Sequence, residues 1–314
     1  MNVTVILIAY HGDRWLPACI ASLALASAER LHLVLVDNSG NTCLDELDLS
    51  RFDAEILATP LPLGFAEANN YALVHASHLE EVVLFLNQDT ISPAGWVDPC
   101  LDILIDDDGL GAVSPLIRTY DDDDWDPSFV TCLSMGQRQR LMAVLDGGEH
   151  VWESDLAPAP ALLVRTDVLK IVGPFDPIYG SYYEDYDLCR RIRRAGYRIG
   201  FVRGASLQHY SGSTTDTPEK ERRRMRRIVR NRLIYQIRDD RQPRWATLTR
   251  FFLRDIPYRM LRGLVRTPSS QPPAIVLQAA LEVARLAYRL CSVARDEAVW
   301  KDYLNRINWR GSRH

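Results

Sequence analysis

Long apolar runs are missing from this sequence. No window approaches the ~20 apolar residues that a membrane-spanning helix needs, and the best stretches, near Phe251 and Ile275, are broken by Arg254, Glu282 and Arg285. An export leader is not expected either, because Val3 to Ala9 is an apolar run of strand length followed by polar residues. Paired cysteines are missing: Cys19, Cys43, Cys100, Cys132, Cys189 and Cys291 form no CxxC pair and no cluster with histidines. That argues against a zinc module and a disulfide framework, and favours a reducing compartment. There is no GxxxxGK phosphate loop, no internal repeat and no low-complexity tract. A strong excess of one charge is also missing, since the formal net charge of -4 exerts no overall pull toward nucleic acid.

What remains is 314 residues, 47% of them hydrophobic, enough to bury a full core. Charge is distributed unevenly. Asp106-Asp107-Asp108 and Asp121-Asp122-Asp123-Asp124 are acidic, whereas from Arg190 to Arg266 basic residues outnumber acidic ones by more than three to one. The later stretch is a candidate contact surface.

The first ninety residues alternate short aliphatic runs with segments of helical period, the pattern of βαβ units and a parallel sheet. Strands are expected at Val3–Ala9, Leu31–Val36, Glu55–Ala58 and Val82–Leu86, with helices from about Arg14 to Ser27 and Ala66 to Ser77. The fold class is α/β. Ligands of such sheets bind beyond the carboxyl ends of the strands, which directs attention to Tyr10-His11, Asp37-Asn38-Ser39 and Asn87-Gln88-Asp89. After Val113 the period fades, and the polar stretch from about Arg118 to Ser154 reads as acceptor-facing loops. Order returns with a strand at Ala161–Arg165, a helix at Thr166–Val172, a helix from about Asp185 to Ala195 ended by Gly196, and a strand at Arg198–Val202 leading to His209. Beyond Thr217 the chain is arginine-rich and helical in period, broken at Ser269-Ser270-Gln271-Pro272-Pro273 before an amphipathic stretch from Ile275 to about Arg295.

Each candidate for chemistry has a plain structural alternative. Asp89 follows the most apolar strand and is placed for a diphosphate-bound cation, yet an Asp there also serves as a turn or cap residue. Asp37-Asn38-Ser39 suits a base or ribose, or an Asx turn. Gly64-Phe65-Ala66 with Ala68-Asn69-Asn70 opens a helix where a ribose or phosphate could be met, or simply caps it. Glu184, Asp185 and Asp187 cluster at a helix start, where the dipole both stabilises carboxylates and keeps Asp185 ionised as a general base. A lone histidine such as His209 is more often a packed polar residue than a ligand.

Taken together, in this order and spacing, these elements resemble the large inverting glycosyltransferase family with the GT-A fold, family 2, and within it the bacterial rhamnosyltransferase-like members. The matching residues are the opening strand to Tyr10, Val36-Asp37-Asn38-Ser39, Gly64-Phe65-Ala66 with Ala68-Asn69-Asn70, Leu86-Asn87-Gln88-Asp89-Thr90 and Gly173-Pro174-Phe175-Asp176. They continue through Tyr183-Glu184-Asp185-Tyr186-Asp187-Leu188-Cys189, Gly196-Tyr197-Arg198, and His209 with Gly212 and Ser213, covering about the first 215 residues. The resemblance implies a GT-A domain over 1–215, with a mixed sheet, and a basic helical extension over 216–314. It implies that Tyr10 and Asp37 hold the nucleobase and ribose with Asn69 nearby, that Asn87 contacts the nucleotide-sugar, and that Asp89 and His209 bind Mg2+ or Mn2+. Asp185 is then the catalytic base and Glu184 stands on the acceptor side. The donor expected from the resemblance is a UDP- or dTDP-sugar, a rhamnose donor included, and the acceptor a glycan or lipid-linked hydroxyl in cell-surface polysaccharide assembly. Two departures stand out: Asn87 replaces the first Asp of a strict Asp-x-Asp, and Ala157-Pro158-Ala159-Pro160-Ala161 replaces a glycine-rich step.

Two other classes compete. A sugar nucleotidyltransferase would carry a Gly-rich, basic loop after the first strand, which Tyr10-His11-Gly12-Asp13 does not supply. A catalytically degenerate binding or assembly protein of the same fold would have no use for Asp89, Asp185 and His209. The arginines Arg222-Arg223-Arg224, Arg226, Arg227 and Arg230 read either as a solvated helix face or as a peripheral contact with an anionic cytoplasmic leaflet. The expected location is cytoplasmic, at the inner face of the cell membrane.

Overall fold

The computed structural model describes residues 1–27, 31–121, 124–132, 150–210, 217–239, 243–265 and 273–309. The chain divides into two units, Met1–Gly180 with Glu184–Ser213, and Ser181–Tyr183 with Thr214–Trp309.

The first unit is built on one mixed sheet. In chain order its elements are β1 (Val3–Ala9), α1 (Leu16–Leu23), β2 (His32–Asp37), β3 (Asp53–Ala58), α2 (Phe65–His75), β4 (Val82–Asn87), β5 (Thr90–Ile91), α3 (Val97–Asp106) and β6 (Leu110–Thr119). There follow α4 (Pro127–Cys132), β7 (Val151–Ser154), β8 (Ala161–Arg165), α5 (Thr166–Val172), α6 (Glu184–Arg194) and β9 (Arg198–His209). The strand order is β3-β2-β1-β4-β8-β6-β9-β5, with β7 also paired to β9. β1 is buried along its whole length between two parallel neighbours, and strands covered on both faces read as the continuous apolar runs seen in the sequence. Its register sets Ile8 opposite Val36 on one side and Asn87 on the other. The carboxyl ends of β2, β1 and β4 therefore finish level, and the loops carrying Asp37, Tyr10 and Asp89 emerge side by side.

Beyond β4 the direction reverses. β8 lies antiparallel to both β4 and β6, and β6 runs parallel to β9. The strand expected at Arg198–Val202 continues to His209 because β6 accompanies it across a register shift and β7 covers its first part. At the far end the two-residue β5 pairs with β9, setting Thr90 opposite His209. That short pairing brings the loop after β4 to the end of the last strand. Within the stretch expected to be acceptor-facing loops, the described residues hold the end of β6, α4 and β7; residues 133–149 lie outside the described residues.

The second unit contains α7 (Pro218–Ile237), α8 (Arg244–Arg250), a π-helical turn (Phe251–Asp255), α9 (Ile256–Val265), α10 (Pro273–Leu290) and α11 (Val293–Arg306). Thr217 caps α7, accepting from the Lys220 amide at 3.2 Å, with Pro218 in the first turn where its missing N–H costs nothing. α7 packs along α10, whose Val276, Ala279, Ala280 and Val283 are buried. The amphipathic stretch expected to run to about Arg295 breaks at Cys291, and Ser292 caps the next helix, accepting from the Arg295 amide. Buried Asp296 gathers the guanidinium groups of Arg238 (2.8 and 2.7 Å), Arg244 (2.9 Å) and Arg289 (2.8 Å). Among the described residues no helix is long and apolar enough to cross a membrane.

Candidate active site

The loops at the carboxyl edge are tied to one another by side chains. Gln88 accepts from the Tyr10 amide at 2.9 Å and donates to the Tyr10 carbonyl at 2.8 Å, so the loop after β4 reads the backbone of the loop after β1. Asn41 does the same between the first two loops, accepting from Gly12 N at 2.7 Å and donating to Ala9 O at 3.0 Å. Asp37 organises its own loop: Oδ1 accepts from the amides of Ser39, Gly40 and Asn41 and from Asn41 Nδ2. Burial acts to raise its pKa, but these donors outweigh it and hold the carboxyl below the usual range. The Asx-turn reading of Asp37 is thus satisfied through one oxygen.

Asp89 and His209 meet. Asp89 Oδ1 lies 3.4 Å from His209 Nε2, and Asn87 Nδ2 lies 3.4 Å from the same nitrogen. Both Asp89 and His209 are buried. Two ligands about 2.1 Å from one cation and at right angles are about 3 Å apart, so the oxygen–nitrogen separation suits a shared divalent ion. A carboxylate with an imidazole is a donor set that Mn2+ accepts well and that Mg2+ tolerates with added water and phosphate oxygens.

Behind His209 stands Asp126, a residue the sequence reading passed over. It is 0% exposed, and its Oδ2 lies 3.0 Å from His209 Nδ1. Its Oδ1 accepts from Phe129 N at 3.4 Å, making it the cap of α4. Burial acts to lower the His209 pKa, but the hydrogen bonds to Asp126 and Asp89 prevail and push it up to about 9. The sequence signal was an Asp-Pro at a helix start, hidden behind the acidic run Asp121 to Asp124.

The candidate base is linked to this centre through a single loop. Asn87 N donates to Pro160 O at 2.9 Å, and Ala159 N donates to Asp185 Oδ2 at 3.2 Å. Adjacent residues of the Ala157–Ala161 segment therefore bind the end of β4 on one side and the first turn of α6 on the other. Cys189 anchors the same segment through Ala157. Burial pushes the Asp185 pKa up to about 6, against the lowering effect of the Tyr186 and Ala159 amides. Glu184 is buried, and burial first, then the neighbouring Asp185 charge, raises its pKa well above the carboxylate norm. Among the described residues its Oε2 has no hydrogen-bond partner. Two neighbouring carboxyls whose environments differ in this way are the arrangement that sets an acid beside a base, with Glu184 held toward the neutral form.

A cavity of about 200 Å³ opens beside Asp89, lined by Arg14, Trp15, Thr90, Tyr120 and Tyr210. The Trp15 and Tyr210 rings are 4.1 Å apart, and the Arg14 guanidinium lies 4.4 Å from the Trp15 ring. Aromatic walls with one guanidinium suit a sugar ring next to a phosphate.

Two of the residues named from the sequence stand differently. Tyr10 is on the edge and partly exposed, its ring 4.4 Å from that of His11. Asn69 is 1% exposed, and its amide donates to Phe65 O within α2, so it packs the helix and shows almost no surface to a ligand. Neighbouring Asn70 clasps Phe175 in both directions, at 2.7 and 3.0 Å.

A family model described as glycosyltransferase like family 2 matches residues 1–231. An N-acetylglucosaminyl-diphospho-decaprenol L-rhamnosyltransferase of Mycobacterium tuberculosis is 25% identical over 245 residues, covering 67% of this chain and 76% of that protein. A pre-mycofactocin glycosyltransferase of the same organism is 28% identical over 193 residues, covering 59% of this chain and 38% of its own length. Among solved structures, residues 1–349 of Staphylococcus aureus TarS with UDP superpose with a TM-score of 0.54 at 18% identity, covering 99% of this chain and 90% of that one. The mannosyltransferase PcManGT of Pyrobaculum calidifontis, solved with GDP-Man and Mn2+, gives a TM-score of 0.54 at 17% identity, covering 98% of this chain and 80% of that one. The chain spans about half the length of two larger matches, 47% of a GalNAc-T7 chain and 49% of a longer TarS chain.

Proposed function

This chain belongs to glycosyltransferase like family 2, and we propose that it is a metal-dependent, inverting member that moves a sugar from a UDP or dTDP donor to a hydroxyl of a lipid-linked or glycan acceptor. It is a glycosyltransferase of GT-A fold, with a mixed sheet and a helical C-terminal region. The observation that carries the finer reading is the meeting of Asp89 and His209 at 3.4 Å, joined through the Ala159-Pro160 loop to Asp185.

In this reading Tyr10, Asp37 and Asn87 lie along the nucleotide-sugar, and Asp89 and His209 hold Mn2+ or Mg2+. When bound, the cation neutralises charge on the departing diphosphate. Asp185 takes the proton of the acceptor hydroxyl as that oxygen bonds to the anomeric carbon and the carbon–diphosphate bond breaks. One displacement inverts the configuration. Glu184, held toward the neutral carboxyl by burial and the neighbouring Asp185 charge, donates a hydrogen bond on the acceptor side. Asn69 keeps its packing role. The likeness to the mycobacterial L-rhamnosyltransferase supports a rhamnose donor and a polyprenyl-diphosphate acceptor, at work in cell-surface polysaccharide assembly.

A lipid-linked acceptor calls for attachment at the inner face of the cell membrane, and the second unit offers a face for it. Trp245, Leu253, Tyr258 and Leu261 are 65%, 76%, 60% and 64% exposed, along a segment whose sequence carries Arg250, Arg254, Arg259 and Arg262 against a single acid, Asp255. Exposed aromatics and leucines among arginines suit an anionic interface. The arginines of α7 are compensated more fully, Arg223 and Arg224 by Glu219 and Glu221 and Arg226 and Arg230 by Glu282, whereas Arg250 and Arg254 share the single carboxylate of Asp255. Flotation with vesicles of anionic lipid is expected to carry the protein upward at low salt, and Leu253→Asp with Leu261→Asp to abolish it. No preference for anionic over zwitterionic vesicles removes the membrane reading.

The test of the catalytic reading is calorimetric titration with nucleoside diphosphates in Mn2+, Mg2+ or chelator. UDP or dTDP is expected to bind in a metal-dependent way, and Asp89→Ala to weaken that binding at least about tenfold. Binding that chelator and Asp89→Ala both leave unchanged sinks the metal assignment. No binding of any nucleotide favours the degenerate binding protein.

A further inference from the structure

We infer that Asp126 is a positioning residue of the metal centre: it fixes the His209 ring so that Nε2 faces Asp89, and it biases the site toward Mn2+ over Mg2+. The inference rests on the metal reading above and names a group that no part of that reading uses.

The geometry is specific. Asp126 is fully buried, and its two carboxylate oxygens are divided between different tasks, Oδ1 on the Phe129 amide and Oδ2 on His209 Nδ1 at 3.0 Å. Its own backbone is held at both ends: Asp126 N donates to Ile117 O at 3.0 Å, and Val130 N donates to Asp126 O at 2.9 Å. The carboxylate is therefore placed by β6 and α4, independently of the ring it supports. An ionised carboxylate only accepts, so Nδ1 of His209 carries the hydrogen. When the ring is neutral, its lone pair is then on Nε2, the nitrogen 3.4 Å from Asp89 Oδ1. Without this partner the ring is free to present either tautomer, or to turn.

The choice of metal follows from the chemistry of the donors. A carboxylate on the far nitrogen raises the basicity of the ligating one. Mn2+ shares with Mg2+ a preference for oxygen ligands but, as a first-row transition ion, accepts an imidazole nitrogen more readily, whereas Mg2+ sheds water reluctantly and keeps to oxygen. Strengthening the nitrogen donor therefore benefits Mn2+ more than Mg2+.

The experiment measures Mn2+ and Mg2+ binding, with and without UDP, for the wild type, Asp126→Ala and Asp126→Asn. Mn2+ is followed by the spin-resonance signal of the free ion, and Mg2+ by calorimetry. Thermal melting of each variant is recorded alongside. Asp126→Ala is expected to lower Mn2+ affinity about 10–100-fold and Mg2+ affinity less, so that the Mn2+/Mg2+ affinity ratio falls. Asp126→Asn keeps one side-chain oxygen able to accept from Nδ1–H in place of Oδ2 but gives up the second acceptor, the one that faces Phe129 N, and is expected to recover part of the loss. Equal losses for the two ions together with a lower melting temperature assign Asp126 a merely structural role and overturn the proposal. Wild-type Mn2+ affinity in both variants overturns it as well, while leaving the metal reading intact. A wild type that binds no Mn2+ in either condition overturns the metal reading, and this inference with it.

Discussion

The two ends of the parallel strands each gather histidines and carboxylates, and they arrange them differently. At the amino end His32, Asp53 and His78 bring potential ligand atoms within 4.8 Å of one another. The two imidazoles there are stacked face to face, 4.1 Å between centroids and 7° from parallel. Lone pairs in the planes of parallel rings do not converge on one ion. Both nitrogens of His32 are already engaged, Nδ1 with Thr4 Oγ1 and Nε2 with Glu55 Oε1. At the carboxyl end the single ring of His209 is held edge-on between two carboxylates, Asp126 behind and Asp89 in front. The close grouping of ligand atoms points to the amino end, while the direction of the lone pairs and their buried support favour the proposed site at the other.

The largest effect that sharpens this contrast belongs to Asp185. Asp185→Asn is expected to lower kcat by about 10²–10⁴-fold while metal-dependent nucleotide binding stays near wild type, because the role proposed for the residue is on the acceptor hydroxyl. In the wild type kcat/KM should rise with pH and level off above about 6, where the half-buried carboxyl ionises. Its folded pKa is raised, so the stability this group contributes is present at low pH and is lost as pH rises through about 6. Between pH 4.5 and 7.5 the wild type should therefore lose on the order of 1–3 kcal/mol relative to Asp185→Asn in chemical denaturation. A flat pH profile, or a variant that also loses nucleotide binding, assigns the base elsewhere.

Why one end was legible and its support was not can be argued residue by residue. β1, β8 and α5 fall where the pattern puts them because strands covered on both faces leave long aliphatic runs, and because Gly173 with Pro174 stops the short helix. Asp89, Asp185 and His209 stand out as candidates in the sequence because the order of loops after strands is written there, and the fold brings Asp89 and His209 to within 3.4 Å of each other. Asp126 depends on a contact across 83 residues, set by the pairing of β6, β5 and β9, and no local pattern encodes such a contact. The fate of Asn69 turned on which face of α2 is buried, and two adjacent asparagines followed by a tyrosine give no periodic signal to decide it. The Ala157–Ala161 segment was a departure from the resembled pattern; it nevertheless carries the two backbone bonds that join Asn87 to Asp185.

The smallest expected effect is at the amino end, and it is the one most able to break the comparison. His78 is exposed and contributes one stacked ring, so His78→Ala should cost under about 1 kcal/mol. His32→Gln removes a buried ring with two hydrogen bonds and should cost about 1–2 kcal/mol. Neither change should move Mn2+ affinity, nucleotide affinity or kcat, because the bonds they alter lie at the opposite end of β2 from Asp37. The double variant, measured by denaturation and by metal titration on the same preparation, makes this decisive. A loss of stability with an unchanged metal isotherm identifies the amino end as packing that happens to contain ligand atoms. A second, weaker Mn2+ binding event in the wild type that disappears in the double variant shows that the stacked rings separate to take up an ion, and the distinction between the two ends then becomes one of affinity.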